Sequence, residues 1–329
     1  MKTVSLSLLL AATASVASAR LAQPRAAYEA DFVDHVNKYG LQLSGEEFST
    51  RLSIFAANTD LINEHNAKGL SWTLSHNKYT HLTFDEFKAM YLSEPAPRAE
   101  GSRYVNAFEG VKAADSVDWS TTDYVTDVKD QGSCGSCWAF SSTGGMEGAY
   151  SLKYGSQVTF SEQQLVSCDT DYGDMGCNGG LMDNAFQYIA ANGLATEESY
   201  PYASSSGRAP KCESFTPVEG TKGIKYTDVA NTEDALAAAV SQQPISVAVD
   251  ADYNWQMYSG GILTSVSGTS LDHGVLAVGF GADSGSNFWK IKNSWGASWG
   301  EDGYIRISKD VNQRNGPCGI TSSASYPTL

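Results

Sequence analysis

The 329 residues, 42% hydrophobic and 18% charged, suffice for about two domains of ordinary globular composition. The formal charge of -15 lies almost wholly past residue 112: residues 113–329 carry 11 Lys and Arg against 25 Asp and Glu, a balance of -14, and the first 112 stand at -1. That surface excludes the basic face a nucleic-acid partner needs; it suits a working pH below neutral as readily as plain solubility.

Lys2, a mostly apolar run from Val4 to Leu10, and Ala17-Ser18-Ala19 read as a secretory signal peptide over residues 1–19, too short to span a bilayer. No later run of about 18 apolar residues predicts a membrane anchor, and no retention tail or lipidation signal stands at Leu329. No Asn-x-Ser/Thr sequon predicts N-glycosylation. Tyr28, Phe32, Val36 and Tyr39, spaced by three and four, predict a helix stopped at Gly40. Phe48, Leu52, Phe55 and Ile62 predict a second over residues 46–66, with Gly69 as the break. Residues 93–110, with Pro95, Pro97, Ser102 and Gly110, read as a linker open to proteases. Residues 138–150, 183–192 and 232–241 then read as helices, the last capped by Thr232. Residues 245–249, 275–280, 288–292 and 304–307 read as strands. Helices first and strands second predict an α+β fold of two lobes.

The densest chemistry is Gln131-Gly132-Ser133-Cys134-Gly135-Ser136-Cys137-Trp138-Ala139-Phe140. As a zinc half-site its C-x-x-C needs a second Cys/His pair, and residues 113–329 hold one histidine. As a redox pair it should follow a strand in a βαβ unit, and the pattern gives none here. A third reading is one structural cysteine and one nucleophile. Cys137 stands where a loop enters a helix, whose unpaired amides favour a thiolate. A thiol shifted from about 8.5 to about 3–4 needs roughly 7 kcal/mol, and a helix end supplies at most about 2. An imidazolium in contact is the natural source of the rest.

The histidines are His35, His65, His76, His81 and His273, and only the last follows residue 113. His273, in Leu271-Asp272-His273-Gly274-Val275, is therefore the candidate base. In Lys292-Asn293-Ser294-Trp295-Gly296, Asn293 can accept from the ring without adding charge, and Trp295 can shield that bond. The Gln131 side chain and the Cys137 amide are candidate oxyanion donors.

QGSCGSCWAF, LDHGV and KNSWG, in this order, resemble the papain family, in its cathepsin L-like branch, over nearly the whole chain after the signal. His273 lies 136 residues and Asn293 156 residues beyond Cys137, against a usual span of about 130–150. The resemblance implies a helical lobe and a β-barrel-like lobe with a cleft between. It implies a secreted cysteine endopeptidase made as a zymogen, with Cys137 as nucleophile, His273 as base, Asn293 as orienter and Gln131 as oxyanion donor. Gly179 and Gly180 are implied to hold the substrate backbone. Leu181, Met182, Ala248, Leu271, Gly274 and Ser323 are implied to line an apolar pocket for the second residue on the acyl side. Cys134 is implied to pair with Cys177 and Cys168 with Cys212, leaving Cys318 single, because Ser267 stands where its usual partner would be.

Glu47, Arg51, Phe55, Asn58, Ile62 and Asn66 share one helical face. They resemble the ERFNIN motif of an inhibitory propeptide, which implies that residues 20–112 fold onto residues 113–329 and lay their tail through the cleft. Residues 74–87 resemble the second propeptide motif, with Asn77 retained and Tyr79 for Phe. Ser75 stands where Gly is usual and His81 where Asp is usual; replacing an acid-sensing Asp by His shifts or inverts its response to pH. The resemblance implies no cofactor or metal, peptide and protein substrates, cystatin-like inhibitors and a monomer, either extracellular or reaching a lysosome or vacuole by the secretory route.

Overall fold

Ser44 stands extended ahead of Gly45, its hydroxyl accepting from the Glu47 amide while its own amide donates to the Glu47 carboxylate. This reciprocal cap opens a 22-residue helix. The computed structural model describes residues 21–93, 104–105, 108, 110–265, 268 and 270–329. The signal, most of the linker and Ser267 lie outside the described residues. Helix α1 (Ala26–Tyr39) ends at a left-handed Gly40, and α1 and α2 (Gly45–Asn66) bury Tyr28, Phe32, Leu52, Phe55 and Ala56 in a core of their own. Strand β1 (Trp72–Leu74), helix α3 (Phe84–Tyr91), and strands β2 (Tyr104–Val105) and β3 (Val117–Asp118) follow.

Helices α4 (Cys137–Tyr154), α5 (Glu162–Cys168) and α6 (Met182–Asn192) surround Trp138, Met146, Phe160, Leu165 and Phe186. The remaining elements are β4 (Lys225–Val229), α7 (Glu233–Val240), β5 (Ile245–Val249), α8 (Tyr253–Met257), β6 (Tyr258–Leu263), β7 (His273–Asp283), β8 (Ser286–Lys292), β9 (Tyr304–Ser308) and β10 (Ala324–Thr328). The sheet runs β1-β6-β9-β8-β7-β5-β10-β4-β2, with β3 on β7. Its core holds Ile245, Val247, Trp289, Ile291, Ile305 and Ile307. Two separate cores make two lobes, one helical and one a mixed sheet, an α+β architecture. Helix α4 lies along β7 between them; a Cβ on Gly144 would stand 3.0 Å from the Leu276 side chain. Both sheet edges are strands from ahead of residue 113: β1 pairs antiparallel with β6 and β2 parallel with β4.

The sequence reading missed several elements, each for a local reason. Helix α5 is capped by Ser161, which accepts from the Gln164 amide, but its buried first turn reads Glu-Gln-Gln and carries no apolar period. Strand β6 contains Gly260 and Gly261, which read as a turn. Strand β7 extends to Asp283 because Ser284 and Gly285, both at positive φ, make a two-residue hairpin that sets Asp283 opposite Ser286.

Candidate active site

Cys137 is the first residue of α4 and is buried. Its sulfur accepts from the Gly274 amide at 3.2 Å and lies 3.6 Å from Ser93 Oγ. Gly274 follows His273 at the start of β7, so the thiol and the imidazole belong to adjoining strand and helix ends. His273 Nε2 lies 2.7 Å from Asn293 Oδ1. Asn293 Oδ1 also accepts from the Ser294 amide at 2.8 Å, so it is the carbonyl oxygen, and Nε2 must be the ring nitrogen that carries hydrogen. That leaves Nδ1 as the basic nitrogen; it is buried and hydrogen-bonds no other described group. Trp295 stacks on the imidazole at 4.6 Å between ring centres and Trp255 meets it edge-on at 6.3 Å. Gln131 is held at both ends of its amide: Ser294 Oγ donates to Oε1 at 2.7 Å, and Nε2 donates to the Cys134 carbonyl at 2.8 Å and the Tyr91 carbonyl at 3.0 Å.

Tyr91 ends α3 and Ser93 opens the linker, and the stretch they belong to covers this site. The Ser93 amide donates to the Asp272 carbonyl at 2.8 Å, and Lys88 Nζ reaches the Asp272 carboxylate at 3.0 Å. Tyr79 and Phe87 set their edges against Trp295 at 6.0 and 5.1 Å, and Lys78 pairs with Asp130. Water exclusion reverses the charge state expected from sequence. Burial drives His273 down to about 4 against the opposing pull of Asn293. It also raises the Cys137 thiol despite the Gly274 amide. Both shifts favour thiol and neutral imidazole while the site is covered, and hydration of the cleft favours the thiolate that the helix end supports.

Of the residues expected along the substrate groove, Met182, Ala248 and Leu271 join one apolar cluster with Trp138. Gly274 sits opposite Ala248 across β5 and β7, and the Ala248 amide donates to the Ser323 carbonyl at 3.0 Å. Leu181 precedes α6, its amide donating to Asp174 Oδ1 at 2.8 Å. Gly179 has φ 116°, and Gly180 lies against the Trp138 indole so closely that a Cβ would stand 2.4 Å from it. Sequence reasoning did not find Ser294, Tyr91, Ser93 or Asp272. Ser294, inside KNSWG, and Asp272, inside LDHGV, lay in motifs that could have pointed to them; Tyr91 and Ser93 lay in none.

Cys134 bonds Cys177 and Cys168 bonds Cys212, both in the helical lobe, while Cys137 and Cys318 are free. Burial pushes the Cys318 thiol well up, which makes it inert in the folded chain. Alkylating the active-site-blocked mature enzyme, denatured without reduction, should label Cys318 alone on peptide mapping. Its recovery in a bridge to any of the other four would overturn the pairing. Among the described residues no group of three or more His, Cys, Asp or Glu is arranged to hold a metal ion, and no helix is long and apolar enough to cross a membrane.

Comparison with known proteins bears on the same residues. Residues 113–328 match the family described as papain family cysteine protease, and residues 32–87 match the cathepsin propeptide inhibitor domain. A probable cysteine protease RD21B of Arabidopsis thaliana is 44% identical over 310 residues, 91% of this chain, which spans 65% of that relative. The senescence-specific cysteine protease SAG39 of Oryza sativa subsp. japonica is 44% identical over 292 residues, 86% of this chain and 84% of the relative. Digestive procathepsin L 3 of the Tenebrio molitor larval midgut superposes with TM-score 0.81 at 37% identity, covering 92% of this chain and 99% of that one. A recombinant stem bromelain precursor gives the same TM-score, identity and coverage.

Proposed function

The chain belongs to the papain family of cysteine proteases and carries a cathepsin-type propeptide, and on that premise we propose that residues 113–329 are the peptidase and residues 20–112 its inhibitory prosegment. We read it as a secreted zymogen, extracellular or delivered to a lysosome or vacuole, monomeric, and open to cystatin-like inhibitors once uncovered. Cys137 Sγ attacks the scissile carbonyl carbon while His273 Nδ1 takes the thiol proton. The C–N bond breaks, the amine leaves with that proton, and a thioester remains. Water, deprotonated by the same nitrogen, then releases the acid and restores the thiol. Gln131 Nε2 and the Cys137 amide are placed in the role of donors to the oxyanion. The observation that carries this reading is the 2.7 Å bond from His273 Nε2 to Asn293 Oδ1, which leaves Nδ1 bare at the strand end whose next amide bonds the Cys137 sulfur.

Specificity follows from the groove. Gly179 and Gly180 offer their backbone to the substrate, and Leu181, Met182, Ala248, Leu271, Gly274 and Ser323 surround its second acyl-side residue. That set carries no carboxylate, so burying a bulky apolar side chain contributes about 1.5–3 kcal/mol, while a guanidinium would be desolvated unpaired. The mature enzyme should cleave fluorogenic peptides with Leu or Phe at that position in preference to Arg. Faster cleavage of the Arg peptides would overturn the pocket, and no cleavage of any peptide would overturn the activity.

A further inference from the structure

The connection from α5 to α6 holds a pair of acids that the peptidase mechanism does not use. Asp169, in the single turn after α5, and Asp174 are 1% and 2% exposed, and their carboxyls are in hydrogen-bond contact. Asp174 Oδ1 accepts from the Leu181 amide at 2.8 Å and from Asn184 Nδ2 at 3.2 Å. Asp174 Oδ2 and both oxygens of Asp169 are buried with no donor directed at them. Ionised carboxylates only accept, so contact between two of them is a hydrogen bond only when one carries a proton. The donors on Asp174 favour its charge; Asp169 has none, so Asp169 holds the proton and donates it to the Asp174 carboxylate. Burial first, and the neighbouring Asp174 second, raise the Asp169 pKa strongly in keeping with that assignment.

We propose that Asp169 and Asp174 share a single proton that latches residues 173–181 against α6, and that this pair positions the Gly179–Leu181 rim of the substrate groove. The rim hangs from two fastenings. On one side Cys177 is bonded to Cys134, its carbonyl accepts from the Gly135 amide at 3.0 Å, and Trp138 Nε1 donates to the Gly176 carbonyl at 3.1 Å. On the other, the Met175 amide donates to the Gly179 carbonyl at 2.8 Å, and Asp174 ties the loop back to Leu181 and to Asn184 on α6. Losing the shared proton to water places two carboxylates in contact inside the lobe. The titratable groups facing them are Asp183 and Tyr188 on α6, with Tyr172 and Tyr200 beside Tyr188, and ionisation of any of these adds like charge. Relief comes from parting Asp174 from Asp169, which draws on the Leu181 bond and loosens the rim. The pair acts through the backbone of residues 179–181 and touches neither thiol nor imidazole, so it moves KM and leaves kcat to Cys137 and His273.

This inference rests on reading Gly179, Gly180 and Leu181 as the substrate rim, and its test keeps the two apart. Mature enzyme and its Asp169→Asn variant, whose amide donates to Asp174 without titrating, are compared from about pH 7 to pH 11, on either side of the Asp169 value of about 10. KM for peptides with Leu at the second acyl-side position should rise at least about threefold toward alkali in the parent enzyme and stay flat in Asp169→Asn, with the kcat profile shared. Hydrogen–deuterium exchange protection of residues 173–183 should fall over the same range in the parent, a measurement that needs no variant to fold. Unchanged protection, or an equal fall in Asp169→Asn, overturns the shared proton. Protection that falls while KM stays flat overturns the link to the groove; the rim assignment itself falls only if Arg peptides are cleaved faster than Leu or Phe peptides, and peptidase activity stands in either case.

Discussion

Replacing His273 by alanine in the mature enzyme should lower kcat/KM for peptides by at least about 10³-fold, and Cys137→Ser should do the same. No other histidine follows residue 112, so no neighbouring imidazole can stand in. The Cys137 thiol at a helix end gains at most about 2 kcal/mol of its activation from the backbone, which leaves several more to the imidazolium. Thiol and imidazole act as one unit, so the double variant should be no worse than either single one. Asn293→Ala should cost less, because it frees the ring to rotate and change tautomer without removing the base. Its loss should be greater where Trp295 is also shortened, since that indole stacks on the imidazole at 4.6 Å and keeps water from the Nε2 bond. Rates are normalised by active-site titration. Full activity in His273→Ala would remove the mechanism altogether.

The residues proposed for catalysis could be singled out in the sequence because that chemistry restricts residue type and their order along the chain is distinctive. A cysteine at a loop-to-helix junction, a lone histidine entering a strand and an asparagine one hairpin later could be assigned roles before any contact was known. The two bridges followed from resemblance, and strand Ile245–Val249 from its short β-branched run, Ile-Ser-Val-Ala-Val. What remained hidden depends on contacts between distant segments. The Tyr91 carbonyl on Gln131 and the Ser93 amide on Asp272 involve backbone atoms, which any side chain supplies equally. The burial that shifts Cys137 and His273 comes with contacts from Tyr79, Phe87, Tyr91 and Ser93, distant in sequence, and no local pattern encodes that. Nothing in the sequence singles out Asp169 and Asp174 among the 25 acids past residue 112; their burial emerges only with the fold.

The prosegment's grip on the peptidase should weaken in acid, by about 3 kcal/mol between pH 6.5 and pH 4, with His81 at the centre of the response. His35 Nε2 and His81 Nδ1 are 3.1 Å apart, and the His35 ring is packed against Tyr39 and Phe55 at 4.8 and 5.1 Å. The His76 ring lies 4.7 Å from that of Phe55 and is hydrogen-bonded to Thr59. A hydrogen bond between two imidazoles needs one bare nitrogen, so protonating both rings breaks it and buries two cations in contact. Burial drives His35 down to about 3, with His81, His76 and Lys38 adding to it. Burial and Arg51 drive His81 down to about 4 against the opposing charge of Glu86. His76 is lowered by burial and raised in part by Asp31. The sign follows: these groups bind protons more weakly folded than unfolded, so the stability they lend is complete above the unfolded value of about 6.5 and drains as pH falls toward the folded values. Histidine where an aspartate is usual therefore leaves acid as the releasing condition and does not invert it. The fall begins near pH 6.5, above the range in which a carboxylate would respond. The Cys137→Ser precursor, which cannot cut itself, is unfolded in urea at a series of pH values. A His35→Gln/His81→Asn version should lose most of the slope between pH 6.5 and pH 4. An equal slope in both proteins, or a prosegment held more tightly at pH 4 than at pH 6.5, would assign the acid response to other groups.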